Sequence, residues 1–251
     1  MIFLKTKQEI AIMRRAGRIT ATILKRIVDS VSPGMSTYDL DHIAEKACKE
    51  FGVKPAFKGY HGFPGCLCVS INDEVVHGIP NKKRILKDGD IVGLDFGVIC
   101  DGYYGDTAIT APVGAIKSDA QKLLDVTKKS LYEGIAQAKV GNRLFDISHA
   151  IQKYVEDNQF SVVREFVGHG IGRNLHEEPQ VPNFGPKGKG LPLREGMVMA
   201  IEPMVNMGSH AVRVESDGWT AVTVDGALSA HFEHTIVITD GEPEILTLPE
   251  D

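Results

Sequence analysis

The sequence predicts a mixed α/β (α+β) fold made of two similar halves, each with two helices followed by strands. Three observations predict it. Residues 91–108, IVGLDFGVICDGYYGDTA, read as an antiparallel hairpin. Helical spacing of apolar residues precedes that hairpin over 6–31 and 36–51. Finally, Gly34…Tyr38-Asp39-Leu40-Asp41-His42 echoes Gly141…Phe145-Asp146-Ile147-Ser148-His149 at an offset of 107 residues, at the same kind of helix–helix junction. That offset is far longer than a solenoid period and points to an old duplication.

The elements follow in order. Ile10, Met13, Gly17, Ala21, Leu24 and Val28 keep helical spacing until Ser32-Pro33-Gly34 breaks the helix. Ser36 or Thr37, with Asp39 behind it, starts a second helix that runs to about Phe51. Residues 54–61 are irregular or extended, 66–71 are a strand, and 74–87 are loop-rich with a turn at Pro80-Asn81. After the hairpin the pattern recurs, with a helix over 118–138 and another, preceded by Gly141, that ends near Gln159, then an apolar strand-like stretch over 162–167. MVMAIEPMV (197–205) reads as one apolar strand interrupted by Glu202, and 219–224 with 229–239 read as a hairpin around Asp225-Gly226. The Gly/Pro/Lys-rich run over 179–192, including 182–190, is a surface excursion.

Composition sets outer bounds. The 251 residues allow one large domain, and a net charge of −5 argues against a general nucleic-acid-binding surface. The start, MIFLKTKQEI, is broken by Lys5 and Lys7, so no signal peptide is expected, and no apolar run is long enough to span a membrane. Cys48, Cys66, Cys68 and Cys100 fit no zinc spacing and read as reduced, buried thiols of a cytoplasmic protein.

The chemistry starts in the hairpin. With Asp101-Gly102 as its two-residue turn, Cys100 pairs with Tyr103 and Gly97 with Asp106. Asp95 and Asp106 are then diagonal neighbours on one face, roughly 7–8 Å apart. Gly93 and Gly97 on that face leave room for a large partner, while Val92, Leu94, Phe96 and Val98 line the core face. Two acids inside an apolar hairpin repel unless a cation lies between them. The second half supplies Glu202 and Glu233, again from apolar strands, and the stretch GHGIGRNLHEEP supplies His169 between two glycines that let something approach its ring. His176 is seven residues on, too far for a helical metal pair with His169, and a third histidine, His77, lies in EVVHGIP. Four carboxylates and one imidazole suit a hard or borderline divalent ion such as Mn, Fe(II), Co or Zn. Two such ions, about 3.5–4 Å apart, balance the four charges, polarise a carbonyl and generate hydroxide. His42, His149, His210 and His234 read as solvated or core histidines.

The ordered set GLDFG…GDTA, GHGIG…HEEP, IEP and FEHT, strengthened by NDEVVHGIP and SPGMST, resembles the short bacterial, type I methionine aminopeptidases over essentially the whole chain. The resemblance implies the pita-bread fold, with pseudo-two-fold halves and helices on a curved, antiparallel-rich sheet, as a single catalytic domain over 1–251. It implies Asp95, Asp106, His169, Glu202 and Glu233 as ligands of two divalent ions, with Asp106 and Glu233 bridging and Glu202 handling the proton of the attacking water. It implies His77 beside the leaving nitrogen and His176 at the substrate carbonyl. Tyr60, Phe63, Cys68 and Trp219 would line a methionine slot, which suits a thioether. Phe63 and Leu175 depart from the family pattern in ways that touch slot shape. The implied substrates are N-termini of nascent polypeptides at or near the ribosome, with a small second residue; the implied state is a monomer without an added ribosome-docking or zinc-finger segment. Three other readings stay open: an X-Pro aminopeptidase or prolidase of the same fold, a non-catalytic binding member, and a dinuclear phosphoesterase. The first normally carries another domain, the second loses ligands, and the third needs an Arg or Lys at the metals that these motifs do not offer.

Overall fold

The structure, a computed structural model, describes residues 2–249; residues 1, 250 and 251, which the single-domain expectation includes, lie outside the described residues. The first half runs α1 (Lys7–Ser30), α2 (Thr37–Phe51), β1 (Lys54–Pro55), β2 (Leu67–Ile71), β3 (Glu74–Val76), β4 (Ile91–Cys100) and β5 (Tyr103–Pro112). The second runs α3 (Ser118–Ile135), α4 (Leu144–Asp157), β6 (Ser161–Val162), β7 (Gly168–Gly170), β8 (Glu177–Val181) and β9 (Val198–Ile201). It continues with β10 (Met204–Asn206), β11 (Val212–Val214), β12 (Ala221–Thr223), β13 (Ser229–His231), β14 (Glu233–Val237) and β15 (Glu244–Ile245).

The 107-residue echo is structural. Gly34 and Gly141 both take positive φ, 91° and 97°. Asp39 and Asp146 each reach back from the third helical position to the cap amide, Ser36 N at 2.8 Å and Arg143 N at 2.7 Å. Lone bridges Ser36↔Ile85 and Arg143↔Pro192 tie each helix start to the chain beyond it. β4 and β9 begin at the same offset, at Ile91 and Val198. Asp95 therefore has Glu202 as its counterpart.

One nine-stranded sheet holds both halves, with a central order β4-β5-β14-β9 flanked by β1 on one side and by β7-β8 on the other. β2 also pairs with β4 and β15 with β14. The order is close to symmetric about the β5/β14 seam. Asp95 and Asp106 come from one side of that seam, Glu233 and Glu202 from the other. Thr107 Oγ1 donates to the Glu233 carbonyl (2.6 Å) and Thr235 Oγ1 to the Asp106 carbonyl (2.8 Å), which fixes the seam beside the two acids. The helices cover the other face. Ile23, Leu24, Leu40 and Ala44 bury against Val92, Leu94, Phe96 and Val98 in the first half. Leu123, Leu131, Ile147 and Ile151 bury against Met199, Ile201 and Ile236 in the second. Burial of each such side chain contributes about 1.5–3 kcal/mol. α1 lies on β5 closely enough that a Cβ on Gly105 would fall 2.7 Å from Thr20 Oγ1 and 2.9 Å from the backbone of Ala16 and Gly17.

The hairpin register is the expected one: Cys100↔Tyr103 and Gly97↔Asp106, with Asp101 (φ 48°) and Gly102 (φ 78°) in the turn. Four strand expectations change. The stretch 197–205 is two strands, because Pro203 has no amide to continue the ladder after Glu202; β9 stays in the main sheet while β10 pairs with β6 and β13. The second hairpin does not form: β12 pairs with β11 and β3, β13 pairs with β10, and Asp225 instead caps its own turn through Ser209 N and Ala227 N. The run 229–239 breaks at Phe232 into β13 and β14, which belong to different sheets. Of the 162–167 stretch only Val162 is strand, as the end of β6.

Candidate active site

All eleven sequence-predicted site residues line one cavity of about 280 Å³. One wall is made of Asp95, Asp106, His169, Glu202 and Glu233, and another of Tyr60, Phe63, Cys68 and Trp219; His77 and His176 lie on the same lining.

The polar wall follows from the seam. Asp95 faces Ala108 across the hairpin and pairs with Cys68 of β2 on its other side, so neither neighbour offers it a charge. Glu233 opens β14 opposite Ala108. Glu202 follows β9, and its carbonyl accepts from Nδ2 of the fully buried Asn183 at 3.0 Å, which holds the break before Pro203. His169 pairs with Ala200, as Ser70 pairs with Gly93 in the first half, so His169 is the second half's counterpart of a serine. Its Nδ1 lies 2.9 Å from the Gly170 carbonyl. A carbonyl only accepts, so Nδ1 carries the proton and Nε2 is left bare. That Nε2 points at Glu202 Oε1 (3.5 Å) and Asp106 Oδ2 (3.9 Å).

The room expected around these groups is used differently. A Cβ on Gly97 would meet Ala56 and Phe57 at 3.0 and 3.1 Å, so that glycine admits the Phe57 ring to the cavity wall. Cβ atoms on Gly168 and Gly170 would fall 2.4 Å from the Ala200 carbonyl oxygen and 2.2 Å from that of Glu178. These two glycines therefore serve close backbone packing of the neighbouring chain segments, not access to the His169 ring.

Electrostatics make the wall untenable as four bare carboxylates. Burial, with Glu202 nearby, raises Asp95 from 3.8 to about 7, and burial raises Glu202 from 4.5 to about 8. Burial and the neighbouring acids hold Asp106 and Glu233 well above the usual carboxylate range. Oδ1 of Asp95, Oδ1 of Asp106 and Oε1 of Glu233 are buried with no hydrogen-bond partner. Asp106, His169 and Glu233 place one donor atom each within 4.8 Å of one another, as do Glu202, His231 and Glu233. Orphaned acceptors, a bare imidazole nitrogen and surplus negative charge are what a divalent cation completes. Cys68 stays outside this set, since burial first and then the acids keep its thiol well above its usual value.

The apolar wall sets Phe63 edge-on to Trp219 with ring centroids 5.1 Å apart. His77 sits between Phe166 and Trp219, at 5.4 and 6.3 Å, with φ 62°, a strained left-handed backbone for a non-glycine residue. Gly78 behind it has no room for a Cβ, which would lie 2.1 Å from the Val69 carbonyl oxygen. Burial lowers the His77 pKa from 6.5 to about 4, so its imidazole is neutral at neutral pH. His176 packs edge-on to His169 at 4.4 Å, and its Nδ1 is 2.8 Å from the Tyr60 hydroxyl.

Sequence reasoning passed over His231. This histidine is 3 % exposed, its Nε2 lies 3.4 Å from Glu202 Oε2, and that nitrogen has no hydrogen-bond partner. The signal was available: alternation places His231 on the face of Glu233, two residues on. Asn183 lay in a Pro/Gly-rich run with no such signal. His42, His149, His210 and His234 stay off the cavity lining.

The fold and the site together define a carboxylate-rich metallopeptidase of the pita-bread type. Residues 11–240 match Metallopeptidase family M24, and the chain belongs to that family. It is 57 % identical to methionine aminopeptidase 1 of Bacillus subtilis, over 98 % of this chain and 99 % of that protein. It is 51 % identical to a methionine aminopeptidase of Clostridium acetobutylicum over the full length of both. Among solved structures, a methionine aminopeptidase of Thermotoga maritima superposes with a TM-score of 0.98 at 49 % identity, covering all of both chains. A prolidase of Pyrococcus horikoshii shares the fold (TM-score 0.78, 22 % identity), with 98 % of this chain matched to 64 % of that one.

Proposed function

We propose that the chain, acting as one catalytic domain, removes methionine from the N-terminus of polypeptides by hydrolysis, with two divalent ions in the carboxylate wall. The observation that carries this reading is the juxtaposition in one cavity of a cation-demanding wall and an aromatic, sulfur-bearing slot. The full-length likeness to methionine aminopeptidases supports it. Asp95, Asp106, His169, Glu202 and Glu233 would hold the ions. Four carboxylates and two divalent ions sum to zero charge, and the oxygen-rich donor set accepts Mn(II), Fe(II), Co(II) or Zn(II). When bound, such ions polarise the scissile carbonyl and make a bound water nucleophilic at neutral pH.

The protein's own groups do the rest. Tyr60, Phe63, Cys68 and Trp219 take the methionine side chain, which places the first peptide bond against the carboxylate wall. Glu202 accepts the proton of the attacking water. His176 donates to the carbonyl oxygen as charge develops on it. His77, neutral and on the same lining, assists the leaving nitrogen. The same cavity must also fit the chain beyond the methionine slot, so a small second residue is preferred. The substrates are nascent polypeptides met in the cytoplasm at or near the ribosome, and the working unit is a monomer. No helix among the described residues is long and apolar enough to cross a membrane.

Mass spectrometry of Met-Ala-Ser and Met-Leu-Ser peptides tests the reading. Loss of one methionine from Met-Ala-Ser alone is expected, abolished by chelator and by Asp106→Asn. Faster cleavage of Ala-Pro peptides would replace it with the X-Pro reading.

A further inference from the structure

His176 reaches the cavity from the loop before β8, and two contacts outside the carboxylate wall govern it. The first holds the loop. Oε1 of Glu177 accepts from the backbone amides of Arg173 and Asn174, at 2.8 and 3.1 Å, while its Oε2 is paired with Lys5 Nζ at 2.5 Å. The Lys5 and Glu177 side chains are 6 % and 7 % exposed. The segment ahead of α1 is in turn fixed by Lys5 N on the Gly196 carbonyl at 2.8 Å. The second contact is on the ring itself: the Tyr60 hydroxyl lies 2.8 Å from His176 Nδ1.

Tyr60 is rigidly presented. It starts a 3-10 turn after Gly59, which takes φ 86°, and its amide donates to the Phe57 carbonyl at 2.9 Å. The Gly59 amide donates to the Phe63 carbonyl at 2.8 Å, so the turn is closed at both ends. The Tyr60 ring meets His176 edge-on at 5.3 Å and His61 at 4.4 Å.

The direction of the Tyr60–His176 hydrogen bond follows from acidity. A phenol is a far stronger acid than a neutral imidazole N–H, and an imidazole nitrogen is a better acceptor than a phenol oxygen. The phenol donates, Nδ1 accepts, and the single proton of the neutral ring must then be on Nε2. We infer that Tyr60 is a positioning residue for His176, locking its imidazole as the Nε2–H tautomer with its one donor turned away from Tyr60. This rests on the reading of His176 as the donor to the substrate carbonyl, and it gives Tyr60 a task beyond forming the slot wall. The arrangement is the reverse of His169, whose Nδ1–H is spent on the Gly170 carbonyl and whose Nε2 is bare. Two imidazoles 4.4 Å apart are thereby set to opposite tautomers, one as a ligand and one as a donor.

The test is long-range proton–nitrogen NMR on protein carrying nitrogen-15 histidine, in the diamagnetic zinc-loaded form, with His176 assigned by its loss in His176→Gln. In the wild type, His176 is expected to show a pyrrole-type Nε2 and a pyridine-type Nδ1. In Tyr60→Phe, which keeps the ring and removes only the hydroxyl, the two nitrogen signals move toward each other. kcat on Met-Ala-Ser falls about tenfold, the worth of one net hydrogen bond, with KM unchanged. A wild-type His176 protonated on Nδ1, or spectra of wild type and Tyr60→Phe that superpose, overturns the inference. The spectrum reads Tyr60's effect whether or not the peptide is cleaved; absent cleavage beside the expected tautomer strikes the proposed reaction and leaves the Tyr60–His176 bond standing.

Discussion

Metal binding should stabilise this protein more at alkaline than at neutral pH, and the structure gives the sign. In the metal-free fold, Asp95 titrates at about 7 and Glu202 at about 8, with Asp106 and Glu233 also far above 3.8 and 4.5. The unfolded chain releases those protons near its ordinary values. Between the two ranges the folded state holds more protons, so metal-free stability falls as pH rises through the folded values. Bound ions require the ionised carboxylates and remove the penalty, so their contribution grows over the same window. With each ion at about a hundred times its dissociation constant, one site adds about 2.7 kcal/mol and two about 5. For a chain of this length that is a rise in Tm of about 10–20 °C. Calorimetry with Mn(II) or chelator, near pH 7 and near pH 8.5, measures it. Asp106→Asn sharpens the test because it inverts one sign: removing a buried acid should make the metal-free variant more stable than the metal-free wild type near pH 8.5, while lowering the gain from Mn(II). A metal-dependent Tm gain that is equal at both pH values, or a chelated Asp106→Asn less stable than chelated wild type at the higher one, would refute the reasoning.

Other expectations follow from single contacts. Gly105→Ala drives a methyl into the backbone of α1, at a cost of about 1–3 kcal/mol, read as a Tm lower by several degrees; an unchanged Tm would mean that α1 is free to lift from β5. His231→Leu removes the nitrogen nearest Glu202 Oε2, and isothermal titration should show Mn(II) affinity about 10–100-fold weaker with the fold retained; unaltered affinity would make His231 a packing residue. Glu9 is held at about 2 by Thr6 and Tyr103, so its contribution is present above 4.5 and lost as pH falls toward 2. Glu9→Gln should flatten that part of the acid unfolding curve, and a curve parallel to wild type counts against the Thr6–Glu9 cap as a stabiliser.

What the sequence disclosed was local or periodic. The Asp101-Gly102 turn dictates its own register and therefore sets Asp95 and Asp106 on one face. The capped helices at 36 and 143 announce the duplication, and the duplication predicts acids in the second half. What stayed hidden was chosen by distant partners. Nothing near β12 says that its second partner, beside β11, is β3, more than a hundred residues earlier, and not β13. The glycines at 97, 168 and 170 look like space from sequence, but Phe57, Ala200 and Glu178 occupy it. Motif resemblance supplied the slot reading proposed for Tyr60, Phe63, Cys68 and Trp219, which on pattern alone read as ordinary core.

The duplication also accounts for the asymmetry of the site. A strict two-fold copy of β2-β4-β5 would give two acids per half and a serine in the place of His169, since Ser70 pairs with Gly93 as His169 pairs with Ala200. Such a site binds cations through oxygen alone and treats both faces of a substrate alike. The second half breaks the symmetry twice: it puts an imidazole where the first half has a hydroxyl, and it inserts β10–β13 between Glu202, just after β9, and Glu233 on β14. The insertion carries Met204 and His231 to the site and brings Trp219 opposite Phe63, closing the apolar slot on one flank of the acids. In the proposed reaction a peptide would lie across the carboxylates in one direction, side chain in the slot and carbonyl toward His176. The symmetric scaffold accounts for the charge of the carboxylate wall, and the departures from symmetry account for the direction that the proposed reaction gives its substrate.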